Sequence, residues 1–318
     1  MPHPFLTQCG GRLTILAVLL LFLASGLCAS AYAQPKILAV IYPDVEEPYK
    51  NIFDEIIAGI VAYPSISVKR YTLGKNFDSD NLRAWLDAEK PAAVITLGQR
   101  GLDAARTLDE KTPVVAGAVM LSDNSAPNII GMSLTPHPAK LFAQLHNLAS
   151  AIKRVHVVYT PTQNTWLIDL AKESVTQYNL ELIAHPAQSL SEAALLYQDV
   201  MNNSNTKTDA VWLLSDKSLD EDAVLDVILK TAWDRKLVMF SSNLSHAKKG
   251  ALFSLYPDNQ ALGRTLADMA VNHERVNGAS ITPLSDVRTA VNVRAAAHLQ
   301  LSITPEQRRD FGLVFPAQ

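Results

Sequence analysis

Short apolar runs that end in polar turns and lead into amphipathic helices recur along this chain, and the series starts again about halfway. Residues 36–42 (KILAVIY), 66–71, 92–97 (AAVITL), 114–119 and a shorter 129–133 read as strands, with helices over 47–63, from Ser79 or Asp80 to 88, and to 108. In the first helix Ile52, Phe53, Ile56, Ile57 and Ile60 share one face, and Pro64 ends it. Pro136 and Pro138 mark a break. A helix over 139–151 then opens a second series, with strands at 154–159, 180–184, 210–214, 237–240 and 251–254. Helices over 165–178, 191–202, 220–234 and 259–272 lie between or after them. Strands that alternate with helices predict parallel sheets covered on both faces. The expected fold is therefore α/β, with two doubly wound parallel-sheet lobes. One lobe covers 34–135 with a segment returning over about 258–280. The other covers 136–257. Residues 281–318, with an extended stretch at 286–291 and a helix at 293–299, carry no clear assignment.

The first 33 residues read as a secretory signal peptide and not as part of the fold. Arg12 is the only Lys, Arg, Asp or Glu before Lys36; residues 13–23 are apolar except Thr14; and Ala31-Tyr32-Ala33 offers small residues for cleavage before Gln34. The apolar run is about half the roughly 20 residues that a spanning helix needs. Cys28 follows Leu27, which is not the small residue a lipidation site wants, so a lipoprotein is not expected. Both cysteines, Cys9 and Cys28, lie in this leader. A mature chain would have no disulfide, zinc thiolate or cysteine nucleophile. Loss of Arg12 takes the formal charge from −3 to −4, a balance with no basic patch for nucleic acid and no polybasic membrane segment. The expected location is the periplasm.

Catalytic signatures are missing. The sequence has no G-x-S-x-G elbow, P-loop, H-E-x-x-H or G-x-G-x-x-G. His137, His146, His156, His185, His246, His273 and His298 are scattered without metal-ligand spacing. No catalytic residue, metal or cofactor is expected.

The positive signal lies where strands end, because open α/β sheets bind ligands beyond the carboxyl ends of their strands. In the first series these ends carry Tyr42 and Asp44, then Gly98, Gln99 and Arg100. In the second they carry Tyr159, Thr160, Thr162 and Asn164, then Asp216, Asn243 and Tyr256. Glycines at 98 and 101 let backbone approach a ligand, a helix N-terminus offers N–H groups to a carboxylate, and Arg100 offers a bidentate partner. Asp44 and Asp216 suit an ammonium group, and the tyrosines suit an aromatic wall. Each signal has a plainer reading. Thr160, Thr162, Asn164, Asp44 and Asp216 are also what helix caps require, and Arg100 equally suits a solvated turn.

Several blocks resemble the ABC transporter substrate-binding proteins of the tryptophan- and tyrosine-binding type. These are AAVITLG (92–98), PVVAGAV (113–119), NIIGMSLTPHP (128–138), RVHVVYTPTQNTW (154–166), KGALFSLYPDNQALGRTLADMA (249–270) and VNVRAAAHLQLSI (291–303). The resemblance implies the type 1 periplasmic binding protein fold, two lobes joined by a hinge, with Gly263 on the helix after a hinge crossing and Asn164 in the ligand turn. It also implies a small solute and delivery to an ABC permease. Members usually carry a Thr-Pro-Ala-type turn after the third strand and an Asp-Pro pair after the fourth. Here Leu97-Gly98-Gln99-Arg100 and Met120-Leu121-Ser122-Asp123-Asn124 stand instead, so a difference in ligand would be written in the first lobe.

The expected function is capture of a small polar or aromatic, amino-acid-like molecule between two lobes for an ABC importer. The alternatives are a ligand-sensing accessory protein without its own permease or, less favoured, a periplasmic enzyme using a pair such as Asp44 and His137.

Overall fold

The computed structural model describes residues 35–109, 111–122, 129–215, 222–272 and 280–316. The expected leader, Asp216, His273 and the Asp123-Asn124 part of the turn after the fourth strand lie outside these residues.

The first sheet has six strands: β1 (Lys36–Pro43), β2 (Ile66–Leu73), β3 (Ala93–Leu97), β4 (Val114–Val119), β5 (Ile130–Pro136) and β11 (Ile281–Leu284). They lie in the order β11-β5-β4-β3-β1-β2, all parallel. The second sheet has seven: β6 (Arg154–Tyr159), β7 (Glu181–Pro186), β8 (Asp209–Leu213), β9 (Val238–Ser241), β10 (Phe253–Pro257), β12 (Val287–Asn292) and β13 (Leu313–Phe315). Their order is β13-β12-β10-β9-β8-β6-β7. The first five strands of each series thus repeat one order, second-first-third-fourth-fifth. The second sheet departs from the all-parallel expectation at β12, which runs antiparallel to β10.

Helices cover both faces of each sheet. On the first, α1 (Tyr49–Val61) and α9 (Asn259–Asn272) pack over one face through Ile56, Ile57, Ile60, Leu262 and Leu266. Helices α2 (Ser79–Glu89) and α3 (Gly98–Ala105) cover the other through Leu82 and Leu102. On the second, α4 (Pro138–Leu148) and α5 (Pro161–Val175) bury Phe142 and Ile168 on one side. Helices α6 (Leu190–Asn203) and α7 (Asp222–Arg235) bury Tyr197 and Leu229 on the other. Short helices α8 (Leu244–Lys249), α10 (Val293–His298) and α11 (Pro305–Asp310) complete the second lobe.

The returning helix α9 sits close on α1 because two glycines face each other's backbone. A Cβ on Gly263 would strike the Ile56 carbonyl, and one on Gly59 the Gln260 carbonyl. The extended residues after 280 divide between the sheets, β11 completing the first and β12 and β13 the second.

Three crossings therefore join the lobes: Pro136 to Pro138, Pro257 to Asn259, and Leu284 to Val287. They are tied to one another. His137 N–H donates to the Leu284 carbonyl at 2.8 Å, and Asp258 N–H to the Asp286 carbonyl at 3.0 Å. The Thr265 hydroxyl donates to the Asp286 carboxylate at 2.6 Å, and Val287 packs against the cores of both lobes. Strands β5, β10 and β11 all reach this junction at their carboxyl ends, and β12 leaves it paired with that end of β10. The carboxyl ends of both sheets are thereby directed to the same junction.

Candidate functional site

In a sheet with this strand order, chain connections depart to opposite sides between the first and third strands, and a crevice opens beyond their carboxyl ends. In the first lobe that crevice lies between β1 and β3. Strand β1 ends at Pro43-Asp44, and β3 runs directly into Gly98. Gly98 is buried with φ +73°, a left-handed conformation that disfavours a side chain. A Cβ there would also lie 3.2 Å from the Phe53 ring and 3.6 Å from Pro43. Phe53 fitted the helical core pattern and was read only as core; its partly buried ring also borders this crevice. Nothing in its spacing separates the two roles.

Arg100 spans the crevice. Its Nη1 donates to the Asp44 carbonyl at 3.2 Å, linking the ends of β1 and β3. Asp44 is exposed, and its own N–H is held by the Leu73 carbonyl at 2.8 Å. Gln99 is exposed and turns along its own helix, donating to Asp103 at 3.0 Å. Beyond β4, the Ser133 hydroxyl accepts from Leu121 N–H at 3.0 Å and fixes the start of the next turn.

The matching crevice of the second lobe lies between β6 and β8. Thr160 is the N-cap residue of α5, Pro161 occupies its first turn, and no side chain caps it. Backbone N–H groups of Gln163 and Asn164 bond to the Thr160 carbonyl at 3.1 and 3.0 Å. The Thr165 hydroxyl donates back to the Pro161 carbonyl at 2.7 Å and the Trp166 indole to the Gln163 carbonyl at 3.1 Å, stiffening the turn. Thr160 and Asn164 are half-buried and Thr162 is exposed.

Other expected residues have assigned structural work. The Asn243 amide oxygen caps α8, accepting from Ser245 N–H and the Ser245 hydroxyl, each at 3.0 Å. Tyr42 packs on the first-lobe core and Tyr159 on the α4–α5 side of the second sheet. Tyr256 pairs across β10–β12 with Arg288, its hydroxyl covers the position a side chain on Gly312 would take, and burial raises its pKa. The structure does not bring these three rings into contact with one another. His137 caps α4, its Nδ1 accepting from Ala139 N–H at 3.1 Å, and burial lowers its pKa. An accepting Nδ1 belongs to the neutral ring, so His137 is occupied as a cap.

A pattern runs through these helix starts. Side chains cap α2 (Asp78), α4 (His137), α6 (Ser189), α8 (Asn243), α10 (Asn292) and α11 (Thr304), and the Asp258 carboxylate accepts from Ala261 N–H in the first turn of α9. Helices α3 and α5 have no side-chain cap, whereas in the first turn of α1 the Glu47 carboxylate accepts from Asn51 N–H at 3.4 Å. The two uncapped helices follow β3 and β6, two of the four strands that border the crevices. Uncapped helix starts leave backbone N–H groups and a partial positive charge facing outward. Among the described residues, no group of three or more His, Cys, Asp or Glu could hold a metal ion.

Two lobes, each with a crevice at the shared junction and three strand crossings between them, define a type 1 periplasmic binding protein. The family model "ABC transporter substrate binding protein" matches residues 95–307, more than half of the chain, and the chain belongs to that family. No curated protein matches the sequence. Among solved structures, a substrate binding protein with adhesive properties from Clostridium difficile, in its ligand-free, open form, is 14% identical with TM-score 0.61. That likeness covers 89% of this chain and 100% of the other. An ABC domain from Streptococcus pneumonia in complex with L-Trp is 16% identical with TM-score 0.53, over 88% of this chain and 99% of the other. At these identities the structures support the fold.

Proposed function

We propose that this protein captures a small amino-acid-like solute between its lobes and delivers it to an ABC importer. The observation that carries this reading is the pair of uncapped helix starts, α3 and α5, one at each crevice. A carboxylate docked at the start of α3 would accept from backbone N–H groups that no side chain caps, and Arg100 would add a charge-assisted bond. Thr160, Thr162 and Asn164 would orient the solute from the second lobe, with Tyr42, Phe53 and Tyr159 as apolar surroundings. Binding of L-Trp by the Streptococcus pneumonia neighbour is in keeping with a ligand of this class. A ligand touching both lobes favours the closed arrangement by its differential affinity. Lobe one is assigned 34–135 with the return over 258–280, to which β11 adds, and lobe two 136–257, to which β12 and β13 add.

We also infer that residues 1–33 are removed on export to the periplasm. Intact-mass measurement of the exported protein should give a chain beginning at Gln34; retention of the leader overturns this part. The binding reading is tested by native mass spectrometry of the purified protein and a thermal-shift screen of amino acids and aromatic acids. A zwitterionic solute that raises Tm and loses affinity with Arg100→Ala is the expected result. No ligand from that class, carried over or added, would sink the reading.

A further inference from the structure

A second concavity lies at the opposite end of the second sheet. It has a volume of about 800 Å³ and is bordered by α7, the end of α8 and the β12–α10 junction. Gly250 precedes β10 and Asn292 ends the antiparallel β12, so both lie at the amino end of β10. The five residues of β10 separate it from the crevice side by roughly 16 Å. The two places can be tested independently.

Its charge is one-sided. Lys230, Lys248, Lys249 and Arg294 line it, with Asp226 as the acid among the lining residues. Two of the cations are neutralised: Lys249 lies 3.6 Å from Asp226, and Lys230 lies 2.6 Å from Asp234. Among the described residues, Lys248 and Arg294 have no carboxylate within ion-pair distance. Arg294 is nevertheless positioned. Its guanidinium carbon lies 5.3 Å from the centroid of the Trp233 ring. That ring stacks on His298 with centroids 3.8 Å apart and planes 5° apart, while His298 Nε2 lies 2.8 Å from the Trp233 carbonyl. A guanidinium held over an indole keeps its N–H edge available to oxyanions.

We propose that this concavity binds a multiply charged phosphate-type anion through Lys248 and Arg294. A monocarboxylate would offset one cation, whereas a phosphate group carries nearly two negative charges and three acceptor oxygens at neutral pH. The volume falls within the usual range of small-molecule sites. The anion can come from a free phosphate compound or from a lipid headgroup that ends in a phosphomonoester, and the chemistry at the two cations is the same.

The test titrates purified protein with inorganic pyrophosphate, with citrate, and with phosphatidylcholine vesicles with and without phosphatidic acid, a phosphomonoester. The variants are Lys248→Ala/Arg294→Ala and, as a control, Lys75→Ala. Both target residues are exposed, so the fold should persist, and circular dichroism checks this. Saturable binding of pyrophosphate that weakens about tenfold in the double variant, but not in Lys75→Ala, supports a free anion. The same dependence seen only with phosphatidic acid vesicles supports a headgroup. Binding should also weaken with added salt. Absence of binding to either phosphate source, tighter binding of citrate than of pyrophosphate, or binding unchanged in the double variant overturns the proposal.

Discussion

Arg100 donates from Nη1 to the carbonyl of Asp44 at 3.2 Å, so one side chain joins the ends of the two strands that border the first-lobe crevice. The bond is to backbone oxygen, which leaves the charge of the guanidinium uncompensated by that contact. Arg100→Ala should weaken binding of a carboxylate-bearing solute by about tenfold or more, the worth of a charge-assisted hydrogen bond. The folded state should be altered little. Isothermal titration beside urea unfolding separates the two; a loss confined to stability would make Arg100 a strut for the turn and no more.

Asn243 predicts the opposite split. Its amide oxygen is engaged at the start of α8, so Asn243→Ala should cost about 1 kcal/mol of stability, as loss of an N-cap does. Ligand affinity should stay within twofold of the parent protein. A large drop in affinity at constant stability would place the amide against the solute instead.

Gly263 tests the packing of the returning helix. A side chain there meets the Ile56 carbonyl and Ile60 nitrogen, which are backbone and cannot turn aside. Gly263→Val should destabilise by roughly 3 kcal/mol or more by forcing α9 off α1. Equilibrium denaturation measures this, and a variant as stable as the parent would mean that the helices separate at little cost.

Three histidines set a pH dependence. His156 Nδ1 lies 3.2 Å from His185 Nε2, and His156 Nε2 lies 3.5 Å from the buried Asp209 carboxylate. Burial lowers the pKa of His156, His185 and His137. The unfolded chain therefore takes up protons at these rings before the folded one does. Their contribution is fully present above the ordinary histidine pKa of about 6.5, and it is lost as pH falls through the lower folded values. Tm followed between neutral and mildly acidic buffer should decline below about pH 6.5, and His156→Gln should flatten the decline. A Tm that rises on mild acidification would contradict this sign.

Much of the fold was legible because apolar runs and turn residues agree. Strands β4 and β6 and helix α9 occupy the expected residues. Elements too short to show a period were missed: α8 and α11, with six residues each, and the three-residue β13. The start of α11 did have a local signal, Thr304 and Gln307 forming a capping box around Pro305. The cap of α2 is Asp78, one residue before the candidates read from sequence. At the crevices, residue type could not separate roles, since an amide at a strand end serves a cap or a solute equally well. Asn243 became a cap, Gln99 turned to Asp103, and the α5 turn was left without a capping side chain. Those outcomes depend on side-chain rotamers, since the partners that Asn243 and Gln99 took lie only two and four residues away.

The three crossings have a consequence for the order of synthesis. The first sheet needs β11, supplied by residues 281–284, and α9 must arrive before α1 has its partner. The second sheet needs β12 and β13, supplied by residues 287–315. Neither lobe is an uninterrupted stretch of chain, so the first sheet waits for residue 284 and the second for residue 315, and no single cut would release one lobe whole.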